Sequence, residues 1–544
     1  MHDLLNDLAK YVSGDICFRL EVDKPKSIAK VRHFSFLLEY GLSCDWCGSL
    51  YHAIRLRTFM PLGDPILGFD EWGCTKLVDE LFSKFKFLRI LSLSGCDLKE
   101  MPDSVGNLKH LRSLDLSGTS IEKLPDSTCF VYNLQVLKLN FCWDLEELPS
   151  NLHKLTNLRC LEFMHTKVRE MPMHLGKLKN LQVLSSFYVG KGSDDFGIQQ
   201  LGELNLHGRL SIGELQNIVN PLDALAADLK NKTHLLELEL GWNCNRNFDD
   251  SMKERQVLEN LQPSRHLEKL SIWSYGGTQF PSWLLDNSLC NVVSLRLKNC
   301  KYCLCLPPLG LLPFLKELSI TGLDGIVSIN AEFYGSSSCS FTSLEALKFS
   351  DMKEWEEWEC KGVTGAFPRL TFLYINGCPK LRGHLPEQLL CLQTLTIQNC
   401  QQLMFPEGGL PSNLKGMRLY GCYKLFSLLK SALRGNHSLQ SLEIGEVDVE
   451  SLPEEGLLPH SLVALNIYNC LDLKRLDYKG LCHLSSLKTL ILSNCRSHFQ
   501  CLSEEGLPKS ISTFEILGDC PLLRLRCWKP DGEDWPKIAH IQHV

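Results

Sequence analysis

From Leu88 onward the chain keeps a fixed period. Leu88, Leu111, Leu134, Leu158 and Leu181 each open a stretch L-x-x-L-x-L, at steps of 23, 23, 24 and 23 residues. The first four stretches are followed at a near-constant offset by an apolar residue and proline: Met101-Pro102, Leu124-Pro125, Leu148-Pro149 and Met171-Pro172. A polar-then-apolar segment such as "DSVGNLKH" comes next. The same opening recurs at Leu235, Leu267, Val292, Leu315, Leu344, Leu370, Leu392, Leu414, Leu439, Leu462, Leu487 and Ile511, at steps of 22 to 32. Weaker starts stand at Val31 ("VRHFSF") and Leu56 ("LRTFMP"), and "LHGRLSIGELQNI" at 206–218 reads as a degenerate unit. Such a period constrains the fold more than any composition does. The apolar residues of each unit face one side of a short strand. One unit alone has nothing to bury them against, whereas stacked neighbours make a continuous core.

This pattern is the leucine-rich repeat, and about twenty units follow one another. The predicted fold is α/β: a repeat solenoid curved into a horseshoe, with a parallel β-sheet on its concave face and a short helical remnant ahead of it. The remnant is "MHDLLNDLAKYV", where Leu4, Leu5, Leu8, Ala9 and Val12 share one helical face. The expected organisation is a helical remnant and linker at 1–30, irregular capping repeats at 31–87, regular repeats at 88–184, an irregular segment with the degenerate unit at 185–234, a second array at 235–526, and a C-terminal cap at 527–544. In the cap, Trp528, Trp535, Ile538 and Ile541 are expected to cover the last open edge.

Twenty-five cysteines ask whether the chain is a disulfide framework or a metal protein. The repeat answers for nine of them. Cys96, Cys142, Cys300, Cys378, Cys400, Cys422, Cys470, Cys495 and Cys520 stand three after the last leucine of a unit, where the pattern takes Asn or Cys. They are expected to be buried, free thiols at the turn out of each strand. "CKYCLC" at 300–305 resembles a ligand cluster only because Cys300 is the repeat cysteine. "CDWC" at 44–47 lacks a second pair at finger spacing, so no metal site is assigned.

No phosphate loop, nucleophile elbow or zinc-protease motif occurs, and the 17 histidines have no partners at useful spacing. No catalytic residue is assigned, and the chain is read as a binding protein rather than an enzyme. A net charge of −6 over 544 residues gives no general pull toward nucleic acid. No apolar run is long enough to span a membrane. The remaining chemistry lies at the x positions that point out of the sheet. There the candidate partner-binding residues are Trp242, Trp273, Tyr275, Arg296, Lys298, Tyr374, Arg418, Tyr420 and Tyr468, because exposed aromatics and arginines anchor protein interfaces. "KEWEEWEC" at 353–360 is either a dock for a basic partner or a segment that packs its tryptophans and leaves its glutamates in water; the second is favoured.

The order "MHDLLNDLAKYV", "VRHFSF", "LRTFMP", L-x-x-L-x-L units with "LP", then "LGELNLHGRLSIGELQNI" at 201–218 and "DWPKIAHI" at 534–541 resembles the plant intracellular nucleotide-binding leucine-rich-repeat disease resistance proteins of the coiled-coil class. The resemblance implies a cytoplasmic receptor whose array senses a pathogen effector or a guarded host protein. It also implies that the array contacts the nucleotide-binding module and favours its resting state. In that family the Met-His-Asp motif closes the nucleotide-binding module, and its histidine touches ADP; by position this is His2, with Asp3 beside it. The family's phosphate loop and magnesium-binding acid lie upstream of that motif, so ADP or ATP is expected only where such a module is present. The start at the motif reads as a truncated product or a gene model begun at an internal methionine. Two other roles stay open: a decoy or adaptor that binds full-length receptors in trans, and the substrate-recognition arm of a ubiquitin ligase.

Overall fold

The computed structural model describes residues 16–20, 28–37, 52–62, 75–192, 197–244, 250–286, 288–335, 340–359, 365–387, 389–433, 436–495 and 501–543. The helix expected at 1–12, with His2 and Asp3, and the pair Cys44 and Cys47 lie outside the described residues. The chain forms two compact units, Met1–Asn247 with Gln256–Leu267, and Phe248–Arg255 with Glu268–Val544.

In the first unit, eight strands follow one another in chain order in a parallel sheet that begins with Cys17–Leu20, His33–Leu37 and Thr58–Leu62. It continues through Ile90–Ser92, Ser113–Asp115, Val136–Lys138, Cys160–Glu162 and Val183–Leu184. The array therefore starts earlier than the repeat spacing predicts. Residues 17–20, read as linker, form a strand, because Phe18, Phe34, Phe36 and Phe59 pack ring against ring at 5.4–6.0 Å and supply the core that the missing leucines would. Further along, Leu91, Leu114, Leu137 and Leu161 share one register position and are fully buried. Each such side chain contributes about 1.5–3 kcal/mol of burial. On the outer side, Pro102 and Pro125 precede the short 3₁₀ helices Asp103–Asn107 and Asp126–Phe130 in extended conformation. A proline there has its φ already set and has no N–H to leave unpaired. The segment read as irregular at 185–234 also contains regular structure: Gly208–Gly213 pairs in parallel with Ser186–Tyr188 and with Leu235–Gly241.

In the second unit every strand of the main sheet has five residues. The sheet runs from Lys269–Trp273 through Ser294–Lys298, Glu317–Thr321, Ala346–Ser350, Phe372–Asn376, Thr394–Gln398, Gly416–Tyr420, Ser441–Gly445, Ala464–Tyr468 and Thr489–Ser493 to Thr513–Leu517, all parallel. Beside it a second ladder holds the turns. The residue just past each strand takes a left-handed φ of 51–66°, as at Ser274 (57°), Asn299 (56°), Gly322 (66°), Asp351 (54°), Asn399 (53°) and Asn469 (51°). Its N–H donates to the last carbonyl of the next strand, as in Asn299 to Thr321 (2.7 Å), Asn399 to Tyr420 (2.8 Å) and Asn469 to Ser493 (2.8 Å). Asn, Asp and Gly tolerate this conformation, which is why they recur there.

The repeat cysteines follow this turn and are buried. Their thiols add a second donor to carbonyls that already accept a backbone N–H, such as Cys422 to Tyr420 at 3.1 Å, Cys400 to Gln398 at 3.1 Å and Cys142 to Leu116 at 3.1 Å. Cys520 comes one residue late, four past Ile516, yet is buried like the others. In "KEWEEWEC", Trp355 is fully buried and Trp358 nearly so; Trp358 Nε1 donates to Tyr334 Oη at 2.8 Å, while Glu356 and Glu357 meet Arg382 in water at 3.1 and 3.0 Å. The tail adds one more rung: Phe514 N donates to His543 O at 2.9 Å. Ile538 and Ile541 are buried there, but Trp528 is 63% exposed. The tail is held by a residue the sequence reading passed over. Asp534, fully buried, accepts from Leu502 N (3.0 Å), Arg526 Nε (3.0 Å) and Lys537 Nζ (2.8 Å). Burial works to raise its pKa, but these donors together outweigh burial and hold the carboxyl below its usual range.

Candidate partner-binding surface

In a five-residue strand of the second unit, the second and fourth side chains enter the core and the others reach the open face of the sheet. Parallel register then lines equivalent positions up in rows, so the residue types at one position become neighbours about 4.8 Å apart.

Three predicted residues meet in this way. Arg418 and Tyr420 lie on Gly416–Tyr420, and Tyr468 lies two strands further on. Between them stands Glu443. Tyr420 Oη donates to Glu443 Oε2 at 2.6 Å, and Arg418 Nε reaches the same oxygen at 3.0 Å. The Tyr420 ring then crosses the intervening strand to meet Tyr468 edge to face, 6.0 Å between centroids. Gly445 permits the crossing. A Cβ there would sit 2.4 Å from the Tyr420 ring and 2.9 Å from the Tyr468 carbonyl. Burial first, then the hydrogen bond to Glu443 and after it the Glu443 charge, push the Tyr420 phenol up, so it stays a neutral donor across the physiological range. Arg418 and Tyr468 remain exposed. The result is a fixed group of aromatic edge, guanidinium and carboxylate on a rigid sheet.

A second group lies at the other end of the same sheet. Trp273, half-buried, pairs in register with Lys298, and Arg296 stands one outward position below it on the same strand. Arg296 and Lys298 are both exposed. Tyr374 lies between the two groups, half-buried and stacked with Phe372 at 6.5 Å, and Lys348 Nζ sits 5.5 Å over the Phe372 ring. Burial raises the Tyr374 pKa.

Two predicted residues are not on this face. Tyr275 is fully buried, with its hydroxyl donating to Gln279 O at 2.8 Å. The left-handed Ser274 turns the chain out of the strand, so Tyr275, three past Ile272, takes the inward place that cysteine holds in other units. Trp242 directly follows the strand Leu235–Gly241 and is also fully buried, as the large apolar area of an indole favours. The sequence reading missed Glu443, Gly445 and Phe372. The signal for them was present: laying the x positions of successive units side by side puts a glycine between Tyr420 and Tyr468 and an acid beside Arg418. Among the described residues, no group of three or more metal-ligating side chains occurs, and no helix is long and apolar enough to cross a membrane.

This is a leucine-rich-repeat protein whose second unit carries polar and aromatic side chains on the open face of its sheet. The profile of the family described as R13L1/DRL21 LRRs matches residues 198–323. The chain is 38% identical over 527 residues, 87% of its length, to disease resistance RPP13-like protein 1 of Arabidopsis thaliana, and covers 49% of that protein. It is 33% identical to disease resistance protein RGA4 of Solanum bulbocastanum over 85% of its length, covering 47% of that protein. Among solved structures, the circular LRR protein CroV588 aligns with a TM-score of 0.48 at 17% identity, over 81% of this chain and 58% of that one. The chain is similar to plant disease resistance proteins along most of its own length, and it spans about half the length of the curated relatives it matches.

Proposed function

We propose that this chain is the recognition module of a plant immune receptor, which binds a pathogen effector or a guarded host protein on the open face of its second sheet. The observation that carries the reading is the Arg418–Glu443–Tyr420–Tyr468 group. Its members are held by one another before any partner arrives, so little side-chain entropy is lost on binding. Exposed tyrosine and arginine at the centre of a rigid face are the usual anchors of an interface. The relatives support the defence role. The reading includes a cytoplasmic location, no catalysis by this chain, and contact between the array and a nucleotide-binding module. ADP or ATP would then belong to that module, with His2 as the one contact contributed from here.

The test is recovery of partners from pathogen-challenged plant tissue by the parent chain, by Tyr420→Ala with Tyr468→Ala, and by Trp273→Ala. Loss of a specific partner in the first variant, with folding intact by circular dichroism, is the expected result. Unchanged recovery in both variants overturns the concave-face reading. Titration of the chain as it stands with ADP is expected to show no binding, and tight binding would overturn the assignment of the nucleotide to the other module.

A further inference from the structure

The left-handed turn ladder of the first unit has two aromatic members. In the first unit it begins with Gly95 and Gly118, whose N–H groups donate to Ser117 O and Asn140 O at 2.8 Å. The next rung is Phe141, donating to Met164 O at 2.8 Å with φ of 61°, and the following repeat has His165 with φ of 59°. A phenylalanine in this region is strained where glycine is not, histidine less so, and strain of that kind marks sites kept for another purpose. The core does not require these rings. His165 is exposed and Phe141 half-buried. Instead they stack on each other, centroids 4.8 Å apart and planes 14° apart. Trp143, 62% exposed, leans against both at 6.1 and 5.6 Å.

The surroundings are acidic. Lys138 stands in register between Asp115 and Glu162 and pairs with Glu162 at 3.4 Å. Lys167 pairs with Asp144 at 2.8 Å and also feels Glu146 and Glu122. Lys123 is bridged through its backbone to Glu147. Six carboxylates thus stand against three ammonium groups in these repeats, which disfavours any phosphate-bearing ligand and favours a cation. The same unit already places Arg169 over a ring, its guanidinium 5.3 Å from the Tyr188 centroid.

We propose that Phe141, Trp143 and His165 form a platform that receives an arginine side chain from a partner protein segment. A guanidinium is planar and weakly hydrated, so it stacks on aromatic faces more readily than an ammonium does, and the nearby carboxylates complete its coordination. The platform belongs to the first unit and is separate from the open-face group at Tyr420.

The full chain labelled with fluorotryptophan, its Trp143 signal assigned through Trp143→Phe, reads binding of a capped Gly-Gly-Arg-Gly-Gly peptide by fluorine NMR. The Arg peptide is expected to shift that signal and to bind roughly fivefold more tightly than its neutral citrulline counterpart. In Phe141→Gly with His165→Gly the Trp143 reporter remains, the response should fall by a similar factor, and the melting temperature should hold or rise as strain is relieved. Equal binding of the two peptides, no shift of Trp143, or undiminished binding in the glycine variant overturns the proposal. A lower melting temperature for that variant also overturns it, since the rings would then serve the fold.

Discussion

The two units solve one packing problem with different outer sides. The regular repeats of the first unit start every 23 or 24 residues, and their sheet strands Ile90–Ser92, Ser113–Asp115, Val136–Lys138 and Cys160–Glu162 have three residues each. Repeats of the second unit start every 22 to 29 residues from Leu267 on, yet all their sheet strands have five. The variation therefore sits in the outer segments, while strand pairing keeps one spacing along the inside. The difference matters for function. A three-residue strand offers little open face, and in the first unit part of it is used by the Lys138–Glu162 pair. A five-residue strand exposes more positions, and the second unit fills them with Trp273, Arg296, Tyr374, Arg418, Tyr420 and Tyr468.

If the inner sides are equivalent, Leu137→Ala in the first unit and Leu347→Ala in the second should each cost about 2–5 kcal/mol. Both leucines are fully buried at the same register position. Hydrogen exchange should show the lost protection confined to neighbouring repeats, because each repeat packs mainly on the next. A large difference between the two costs would break the comparison.

Asp534→Asn tests the buried charge at the end of the second unit. Removing the buried charge while leaving Arg526 and Lys537 should cost about 3 kcal/mol by urea denaturation, at the lower end for a buried pair because both cations are partly exposed. The Asp534 pKa is lowered in the folded chain. Its contribution is therefore complete above the unfolded value of about 3.9 and fades as pH falls through the still lower folded value. The gap between parent and variant should be flat from neutral pH to about 5 and close below about 4.

Gly445→Ala should cost about 1–3 kcal/mol, because the new methyl group must displace the Tyr420 ring or the Tyr468 strand. A crystal structure of the variant should show the two tyrosines apart. The smallest effect is expected on the open face of the first unit. Glu162→Gln leaves a partly exposed pair with Lys138 and should change stability by no more than about 0.5 kcal/mol. A cost similar to that of Gly445→Ala would mean that both faces are equally built.

The pattern of leucines made the parallel sheet, the outer prolines and the buried cysteines legible, since each follows from position within one unit. The array's beginning was not legible, because Phe18, Phe34, Phe36 and Phe59 do in the core what leucine does elsewhere. Of the nine open-face residues, seven lie on the sheet and two are buried. Tyr275 could have been placed by counting three past Ile272, whereas nothing in the single sequence marks Trp242 as inward. The tail motif was recognised from its letters, but the buried Asp534 that holds it depends on Arg526, Leu502 and Lys537, and Leu502 lies 32 residues upstream.

The sequence by itself determined the repeat, and with it which side chains are buried, because a single unit cannot bury its leucines without its neighbours. The tertiary structure alone decided what those neighbours bring together. Tyr420 reaches Tyr468 over Gly445, Glu443 joins Arg418 to Tyr420, and two strained rings at Phe141 and His165 stack beside Trp143. Tyr420 and Tyr468, Tyr420 and Glu443, Arg418 and Glu443, and Phe141 and His165 lie 23 to 48 residues apart in the chain. Only parallel register, which turns one repeat length into one strand spacing, makes them adjacent.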